Sequence, residues 1–208
     1  GNFGDIFPDY CAKRMGLPIS KLVIATNAND ILARTLRSGR YEMKGVTATT
    51  SPSMDIQISS NFERLLFEAS GRDSESVRAA MGQLRQSGGF DVGETTLKAI
   101  KKEFSAGRAT EKQVKAKIAE IAGQTGYVID PHTAVALHVA AKAERANAPM
   151  VALSTAHPAK FPEAVKSATG IDPALPPCLT DLMQREERFQ VLPAAQGKVE
   201  AHILAQAR

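Results

Sequence analysis

Apolar and polar positions over the first forty residues follow one another in a way that predicts helix, strand and helix. Apolar side chains recur at the spacing of one helix face over about residues 5–15. Cys11 falls on that face, so we expect it to be buried. Residues 21–27 are almost continuously apolar, as is typical of a strand in a parallel sheet. A helix from Ile31 to Leu36 follows, and this order of elements predicts an α/β fold.

The rest of the pattern predicts two more strands with a long helical region between them. Residues 46–50 and 150–155 are short apolar runs that end in hydroxyl residues, and we predict a strand at each. The pattern from residue 74 to about 123 is that of helices broken at glycines, which predicts a helical insertion over about residues 72–125. Pro131 suits the first turn of a helix that continues to about Arg145.

Prolines become frequent near residue 175 and indicate a change of organisation there. We predict that residues 1–175 form the main domain and that residues 176–208 form a tail that packs on it. The tail is expected to end in a helix that starts at about Ala194. With 208 residues, of which 43% are hydrophobic and only 5% aromatic, the chain can bury one sizeable and mainly aliphatic core.

Charge and cysteine content narrow the classes of partner. The net charge is +4, but the 26 basic and 22 acidic residues are dispersed along helix-like segments. Such mixed faces are usually solvated, so we expect no nucleic-acid partner. No apolar run approaches the length needed to cross a bilayer, so we expect no membrane partner. The two cysteines stand in no redox or metal spacing, which favours the reducing cytoplasm as location.

The opening five residues have the composition of a phosphate-binding loop. Two glycines flank an Asn-Phe pair directly before the first predicted helix. Glycine lets the backbone approach a ligand closely, and the first N–H groups of a helix lack internal partners and attract anions. A plain turn before a helix would have the same composition. Because the chain starts inside this motif with no preceding strand, we expect it to be the C-terminal part of a longer polypeptide.

Two other polar groups stand at the ends of predicted elements. Asp130 and His132 precede a helix, whereas Thr155 and His157 follow a strand. Ligand sites in α/β proteins form beyond the carboxyl ends of strands, so Thr155 is well placed, although it can equally be a hydroxyl that bonds to backbone. Either histidine could be a general base or a structural loop residue. The histidines and acidic residues show no metal-ligand spacing, so no metal site is predicted.

Five motifs together resemble those of bacterial threonine synthase, in the order and at the approximate spacing of that family. They cover nearly the whole chain. The motifs are Gly1-Asn2-Phe3-Gly4-Asp5, Ala25-Thr26-Asn27-Ala28-Asn29-Asp30, Ser53-Met54-Asp55-Ile56, Asp130-Pro131-His132-Thr133-Ala134-Val135 and Thr155-Ala156-His157-Pro158-Ala159-Lys160-Phe161. The resemblance implies the C-terminal part of the large domain of a fold-type II, pyridoxal-phosphate-dependent enzyme, an open twisted α/β sheet with flanking helices.

The resemblance also implies an activity and a set of site residues. The reaction would be that of a lyase in threonine biosynthesis, which converts O-phospho-L-homoserine and water to L-threonine and phosphate. The cofactor would be pyridoxal 5′-phosphate, with its phosphate held by Gly1, Asn2, Phe3, Gly4 and Asp5. Thr155 would face the pyridine nitrogen, to which a neutral hydroxyl can donate a hydrogen bond. Asp130, His132, His157 and Lys160 would lie near the ring.

One part of the family's site has no counterpart in these residues. The lysine that binds the cofactor covalently belongs to the N-terminal part of the family, and no lysine here stands in that motif. We therefore expect no catalytic residue in this chain, no activity from it alone, and the missing N-terminal half of the protein as its partner. Two alternatives stay open: a non-catalytic ligand-binding module of the same fold, or another pyridoxal-phosphate-dependent eliminating lyase or dehydratase.

Overall fold

The chain folds into two compact units, Gly1–Ala174 and Leu175–Arg208. The computed structural model describes residues 2–144 and 147–207. Within those residues, the structure contains no helix that is long and apolar enough to span a membrane.

The first unit alternates helices with short strands. Its helices are α1 (Ile6–Arg14), α2 (Ile31–Ser38), α3 (Phe62–Ala69), α4 (Ser74–Ser87), α5 (Glu94–Glu103), α6 (Glu111–Thr125), α7 (Pro131–Ala140) and α8 (Pro162–Thr169). Its strands are β1 (Leu22–Thr26), β2 (Arg40–Glu42), β3 (Gly89–Asp91) and β4 (Phe104–Arg108). Single 3₁₀ turns lie at Pro52–Met54 and Pro158–Lys160.

The strands form two small sheets. β1 pairs in parallel with β4, with Leu22 opposite Phe104 at one end. β2 pairs antiparallel with β3. The second pairing depends on Gly39, which ends α2 in the left-handed conformation (φ 79°) and so turns the chain directly into β2.

The apolar core of the first unit consists of two clusters. The larger joins α1, β1, α2, α3 and β4, and its centre is aromatic, with Phe3, Phe62 and Phe104 in mutual contact through Phe3. The smaller lies between α6 and α7 and includes Val114, Ile118 and Val135. This second cluster holds α7 in place, and α7 carries the polar residues of the candidate site.

The structure confirms the first predicted elements and the α/β class. The predicted helix over 5–15 is α1, the predicted strand over 21–27 is β1, and the helix that begins at Ile31 is α2. Pro131 begins α7 as predicted, although α7 ends at Ala140, and Arg145 lies outside the described residues.

The expectation that residues 74 to about 123 contain only helices, broken at glycines, is wrong at the breaks, which are strands. β3 and β4 lie within that range, and β4 is the parallel partner of β1. The strand residues Ser105, Ala106 and Gly107 have low intrinsic strand propensity, so local pattern could not indicate them. β4 forms because β1 pairs with it across about eighty residues of sequence.

The two predicted strands at 46–50 and 150–155 are absent from the described structure. Val46 is 56% exposed and Val151 is 77% exposed. In the first segment, the backbone N–H groups of Thr47 and Thr49 donate to the side chains of Asn29 and Asp55 instead of to a neighbouring strand. Side-chain acceptors have therefore replaced a sheet partner there.

Cys11 is exposed, and the expectation of a buried Cys11 is wrong. The α1 helix buries its Tyr10 side against the core, and Cys11 is the next residue around the helix.

The second unit contains helix α9 (Gln196–Gln206) and single 3₁₀ turns at Pro177–Leu179 and Leu182–Gln184. A terminal helix was predicted from about Ala194, and α9 begins two residues later. The division after Ala174 lies next to the predicted boundary. The packing of this tail on the main domain stays a prediction.

Candidate functional site

Asp130 is the buried centre of a hydrogen-bond cluster at the start of α7. Its side chain is fully buried and accepts the backbone N–H groups of His132 (2.8 Å) and Thr133 (3.3 Å), so it caps the helix. It also accepts the Thr133 hydroxyl and lies 2.9 Å from His132 Nδ1. Both carboxylate oxygens are thus satisfied inside the protein.

The contacts of Asp130 stabilise its charged form. Burial alone would raise the pKa of this carboxyl, but the hydrogen bonds from the His132 and Thr133 side chains and from the His132 backbone outweigh it. The pKa of Asp130 therefore lies below its ordinary value, and the group is an anion at neutral pH.

His132 is held in one tautomer by its two neighbours. Its Nδ1 faces the Asp130 carboxylate, which can only accept, so Nδ1 carries the proton. Its Nε2 accepts the backbone N–H of Ser53 at 3.3 Å. The ring also packs against Phe161, with centroids 4.7 Å apart, and it is only 4% exposed. His132 is therefore a buried imidazole with both nitrogen atoms engaged in hydrogen bonds.

A cleft opens beside this cluster, and we call it the Asp130 cleft. It is lined by residues 127–130 and 154–158 and has a cavity volume of about 380 Å³. Ser154 links its wall to α7, because its Oγ lies 3.1 Å from Thr133 Oγ1. Thr155 is exposed to the cleft, and within the described residues its hydroxyl has no hydrogen-bond partner. That hydroxyl is available to a ligand.

The structure brings four of the predicted site residues together, with His132 in contact with Asp130, and places a fifth, Lys160, nearby. Asp130, Thr155 and His157 line the same cleft. His157 Nδ1 accepts the backbone N–H of Ala159 (3.2 Å), so this nitrogen caps the 3₁₀ turn that follows. Lys160 is exposed, with its Nζ 5.9 Å from the centroid of the Phe161 ring.

The opening loop is fixed to the core by one aromatic residue. Phe3 has a positive φ of 69° and is 2% exposed, with its ring against Phe62 and Phe104. The carbonyl of Asn2 accepts two hydrogen bonds from Asn61, one from its backbone (3.1 Å) and one from its side chain (3.2 Å). The loop that precedes α1 thus has a defined shape.

Of the described backbone N–H groups near the start of α1, that of Ile6 is free to bind an anion and that of Gly4 is occupied. The N–H of Ile6 has no acceptor among the described residues, as expected at a helix start. The N–H of Gly4 donates to Asn2 Oδ1 at 2.8 Å, so the Asn2 side chain occupies a donor that an anion would use. A Cβ atom on Gly4 would come within 2.7 Å of the same oxygen. Asp5 is exposed, and Gly1 lies outside the described residues.

A second buried polar cluster follows β1, and no site role was predicted for it. Asp55 Oδ1 accepts from Asn27 Nδ2 (2.7 Å), Asn29 Nδ2 (2.9 Å) and Thr49 Oγ1 (2.7 Å). Asn27 is fully buried. The one sequence signal was that Asn27, Asn29 and Asp55 belong to motifs of the family resemblance, because both asparagines are more than twenty residues from Asp55 and no local pattern pairs them.

One segment contacts both parts of the candidate site. Ser53, near its start, donates to His132, and Asn61, at its end, donates to Asn2. Asp55 lies between them and is tied to the end of β1 through Asn27. The segment 53–61 therefore connects the opening loop with the Asp130 cluster. Among the described residues, no group of three or more metal-ligating side chains is present.

Known proteins match this chain along its whole length. The family model "Threonine synthase, C-terminal" matches residues 133–203. Threonine synthase of Pseudomonas aeruginosa is 45% identical over 205 residues, which are 98% of this chain and 44% of that protein. The crystal structure of PLP-bound threonine synthase from Brucella melitensis aligns with 100% of this chain, at 59% identity and a TM-score of 0.93. Over its whole length the chain is thus similar to part of these threonine synthases.

Solved members of the threonine synthase family share the fold described above. The structure of the yeast threonine synthase aligns with 99% of this chain at 37% identity and a TM-score of 0.83. The predicted fold, that of the C-terminal part of a fold-type II enzyme, is thereby confirmed. The chain spans less than half the length of the relatives it matches, with 44% of the Pseudomonas protein and 45% of the Brucella chain covered.

Proposed function

We propose that the polypeptide containing these residues is a threonine synthase, which converts O-phospho-L-homoserine and water to L-threonine and phosphate with pyridoxal 5′-phosphate as cofactor. The observation that carries this proposal is the 59% identity and TM-score of 0.93 to the PLP-bound Brucella enzyme over the entire chain. The 45% identity to the Pseudomonas enzyme supports it independently of any structure.

The residues of the chain suit the proposed cofactor at two places. The loop of Gly1, Asn2, Phe3, Gly4 and Asp5 would hold its phosphate through backbone N–H groups at the start of α1. The Asn2 side chain would then release the Gly4 N–H to the phosphate. Pyridoxal phosphate supplies an electron sink for bonds at the substrate's amino-acid carbon atoms.

Thr155 would meet the pyridine nitrogen at the other end of the cofactor. Its free, exposed hydroxyl in the Asp130 cleft supports this role. A hydroxyl can donate to a neutral ring nitrogen, whereas a carboxylate in the same place would favour a protonated nitrogen. The hydroxyl would therefore hydrogen-bond the ring nitrogen in its neutral form.

Asp130 and His132 would support this arrangement without moving protons. Their hydrogen bonds fix the tautomer of His132 and hold the start of α7 beside the cleft. His157 and Lys160, which are exposed at the same end of the unit, would orient polar groups of the ligand. We assign these four residues proximity to the ligand.

The remaining groups of the site would come from the rest of the polypeptide. The relatives are more than twice as long as this chain, which supports a site completed by an N-terminal part that provides the covalently binding lysine. The 208 residues alone would then be inactive. We also place the protein in the cytoplasm, an inference that its two free cysteines support.

Phosphate release by the longest natural polypeptide that contains these residues tests the proposal. We expect release from O-phospho-L-homoserine, dependent on pyridoxal phosphate, with formation of L-threonine. Serine and threonine serve as control substrates, because a dehydratase of the same cofactor class would convert them to keto acids. Keto-acid formation without phosphate release, or no turnover and no visible absorbance with added cofactor, would refute the proposal.

A further inference from the structure

A groove on the first unit, separate from the Asp130 cleft, lies between α1, α3 and α4. Its cavity volume is about 610 Å³, within the roughly 300–1,000 Å³ typical of ligand pockets. We call it the arginine groove. It is lined by residues of all three helices, among them Phe7, Glu63, Val77, Arg78, Met81 and Arg85. It shares no residue with the cleft.

The floor of the arginine groove is apolar. Phe7, Val77 and Met81 are partly buried and pack on the main core cluster, and Phe67 is also partly buried. The exposed part of each side chain faces the groove. A ligand with an apolar body could therefore bury surface here that the fold leaves accessible to water.

The rim of the groove carries more positive than negative charge, with three arginines and two glutamates. Arg64, Arg78 and Arg85 are exposed, and within residues 2–144 and 147–207 none of them forms an ion pair. Of the two carboxylates on the rim, Glu68 already pairs with Arg72 (3.2 Å). Glu63 is the rim carboxylate left without an ion pair among the described residues. Asp73, just before α4, interacts with the charge of Arg78, so the excess of positive charge rests mainly on Arg64 and Arg85.

The order of residues along α4 explains why charge and apolar surface meet at this place. Val77 and Met81 are four residues apart, as are Met81 and Arg85, so all three lie on one face of the helix. Arg78 borders that face. Guanidinium groups suit this position because their planar forks bind carboxylates, sulfonates and phosphates with two parallel hydrogen bonds.

We propose that the arginine groove binds a small organic anion, a molecule with an apolar, ring-sized body and one sulfonate, phosphate or carboxylate group. The body lies on Phe7, Val77 and Met81, and the anionic group lies between the arginines of the rim. The excess positive charge selects the anion, and the apolar floor selects against fully hydrophilic anions such as free phosphate.

Anilinonaphthalene sulfonate is a suitable probe, because N-phenylnaphthylamine has the same rings without the sulfonate. Fluorescence titration of the longest natural polypeptide that contains this chain measures both. We expect one sulfonate site per chain in the groove and at least threefold weaker binding of the neutral compound. Raising the salt concentration from about 0.05 M to 0.5 M should weaken only the sulfonate, because salt screens exposed charges.

Substitutions locate the site. Arg78→Gln and Arg85→Gln should each weaken sulfonate binding about threefold, and the double substitution about tenfold, the range of exposed ion pairs. Arg37→Gln is the matched control, since Arg37 is an exposed helical arginine outside the groove. Binding of the neutral compound should change less than twofold in all of them. Far-UV circular dichroism and the unfolding midpoint verify that each variant is folded.

Each of the following results would overturn the proposal: no saturable binding of the sulfonate, equal affinity for both compounds at low salt, or the same loss with Arg37→Gln as with Arg78→Gln. If the arginine variants fold poorly, the salt dependence of the unsubstituted protein decides. If the sulfonate affinity is independent of salt, the arginines of the rim do not bind the anionic group. The outcome does not depend on pyridoxal phosphate or on turnover, so it is separate from the proposed enzyme activity.

Discussion

His132 Nδ1 lies 2.9 Å from Asp130 Oδ1, and both side chains are almost completely excluded from water. The same carboxylate also caps α7. A single buried anion therefore fixes both the start of a helix and the tautomer of an imidazole. Removal of its charge should disturb both.

Asp130→Asn should lower the free energy of unfolding by about 2 kcal/mol at neutral pH, because an amide has one acceptor oxygen where the carboxylate has two. Its NH₂ group would face donors that now point at the second oxygen. Equilibrium denaturation in urea measures the change. Asp91→Asn is the control, because Asp91 forms only an exposed ion pair with Arg40, and it should cost less than about 1 kcal/mol.

The pH dependence gives a second check on Asp130. Because its pKa is lowered in the folded protein, its contribution is present above the ordinary value of 3.8 and is lost as the pH falls through that value and below. The free energy of unfolding of the Asp130→Asn protein should lack this loss as the pH falls. If the free energy of unfolding falls equally steeply at acid pH in both proteins, Asp130 does not make this contribution.

His138 should destabilise the fold in mildly acidic solution. Burial lowers the pKa of His138, and Lys142 and Lys117 add to the effect, while Glu120 opposes it. The Nε2 atom is buried without a hydrogen-bond partner in the described part of the chain. Since the folded state binds the proton less readily than the unfolded state, stability is complete above the ordinary pKa of 6.5 and falls as the pH drops below it.

Replacement of His138 by Gln should reduce that loss. Thermal unfolding between about pH 7 and pH 5 compares the unsubstituted protein with the variant, whose midpoint should fall less over the same interval. His157→Gln is the control, because His157 is exposed. An identical pH dependence in the parent and in His138→Gln would show that His138 does not contribute.

The contact of Gly107 with Val139 should show strong coupling. A Cβ atom on Gly107 would come within 2.7 Å of Val139 Cγ1, so α7 lies directly on β4. Gly107→Ala should cost about 1–3 kcal/mol through overpacking. In a Val139→Ala background the same substitution should cost at least about 1 kcal/mol less, as a double-mutant cycle in urea would measure. If the two substitutions have additive effects on the free energy of unfolding, α7 can move away from β4 without cost.

Thr155 should act on the ligand and not on the fold. Thr155→Val keeps the shape but removes the hydroxyl, and it should weaken cofactor binding or turnover about three- to tenfold, the value of one hydrogen bond. Thr155→Ser should stay within about twofold of the parent. Because Thr155 is exposed, both variants should unfold within about 0.5 kcal/mol of the parent. Equal activity of the Thr155→Val and Thr155→Ser variants would show that the hydroxyl does not bind the cofactor.

The first elements could be predicted because their signals are local. β1 is five consecutive residues of mostly apolar, β-branched character, and α2 ends at a glycine that adopts the left-handed conformation. β4 could not be predicted, because its Ser105 and Gly107 are compatible with a strand only beside β1 and beneath Val139. Its formation is a tertiary effect.

In the candidate site, too, residues with a local sequence signal could be predicted, and those that meet only through tertiary packing could not. Asp130, Thr155 and His157 were predicted from the family resemblance and from their places at element ends, and the structure puts all three in one cleft. The link from Asn27 to Asp55 was missed, because hydrogen bonds between residues 28 positions apart leave no periodic signal. Sequence patterns indicate which residues are polar, whereas packing decides which of them meet.

The left-handed backbone at Phe3 has a consequence for any anion that binds before α1. This conformation costs a residue with a side chain about 1–2 kcal/mol, and burial of the phenylalanine ring, worth roughly 1.5–3 kcal/mol, offsets it. The aromatic core therefore sets the conformation of the loop before a ligand arrives. A ligand that binds there would lose little affinity to ordering the backbone, so preorganisation is built in by the hydrophobic interior.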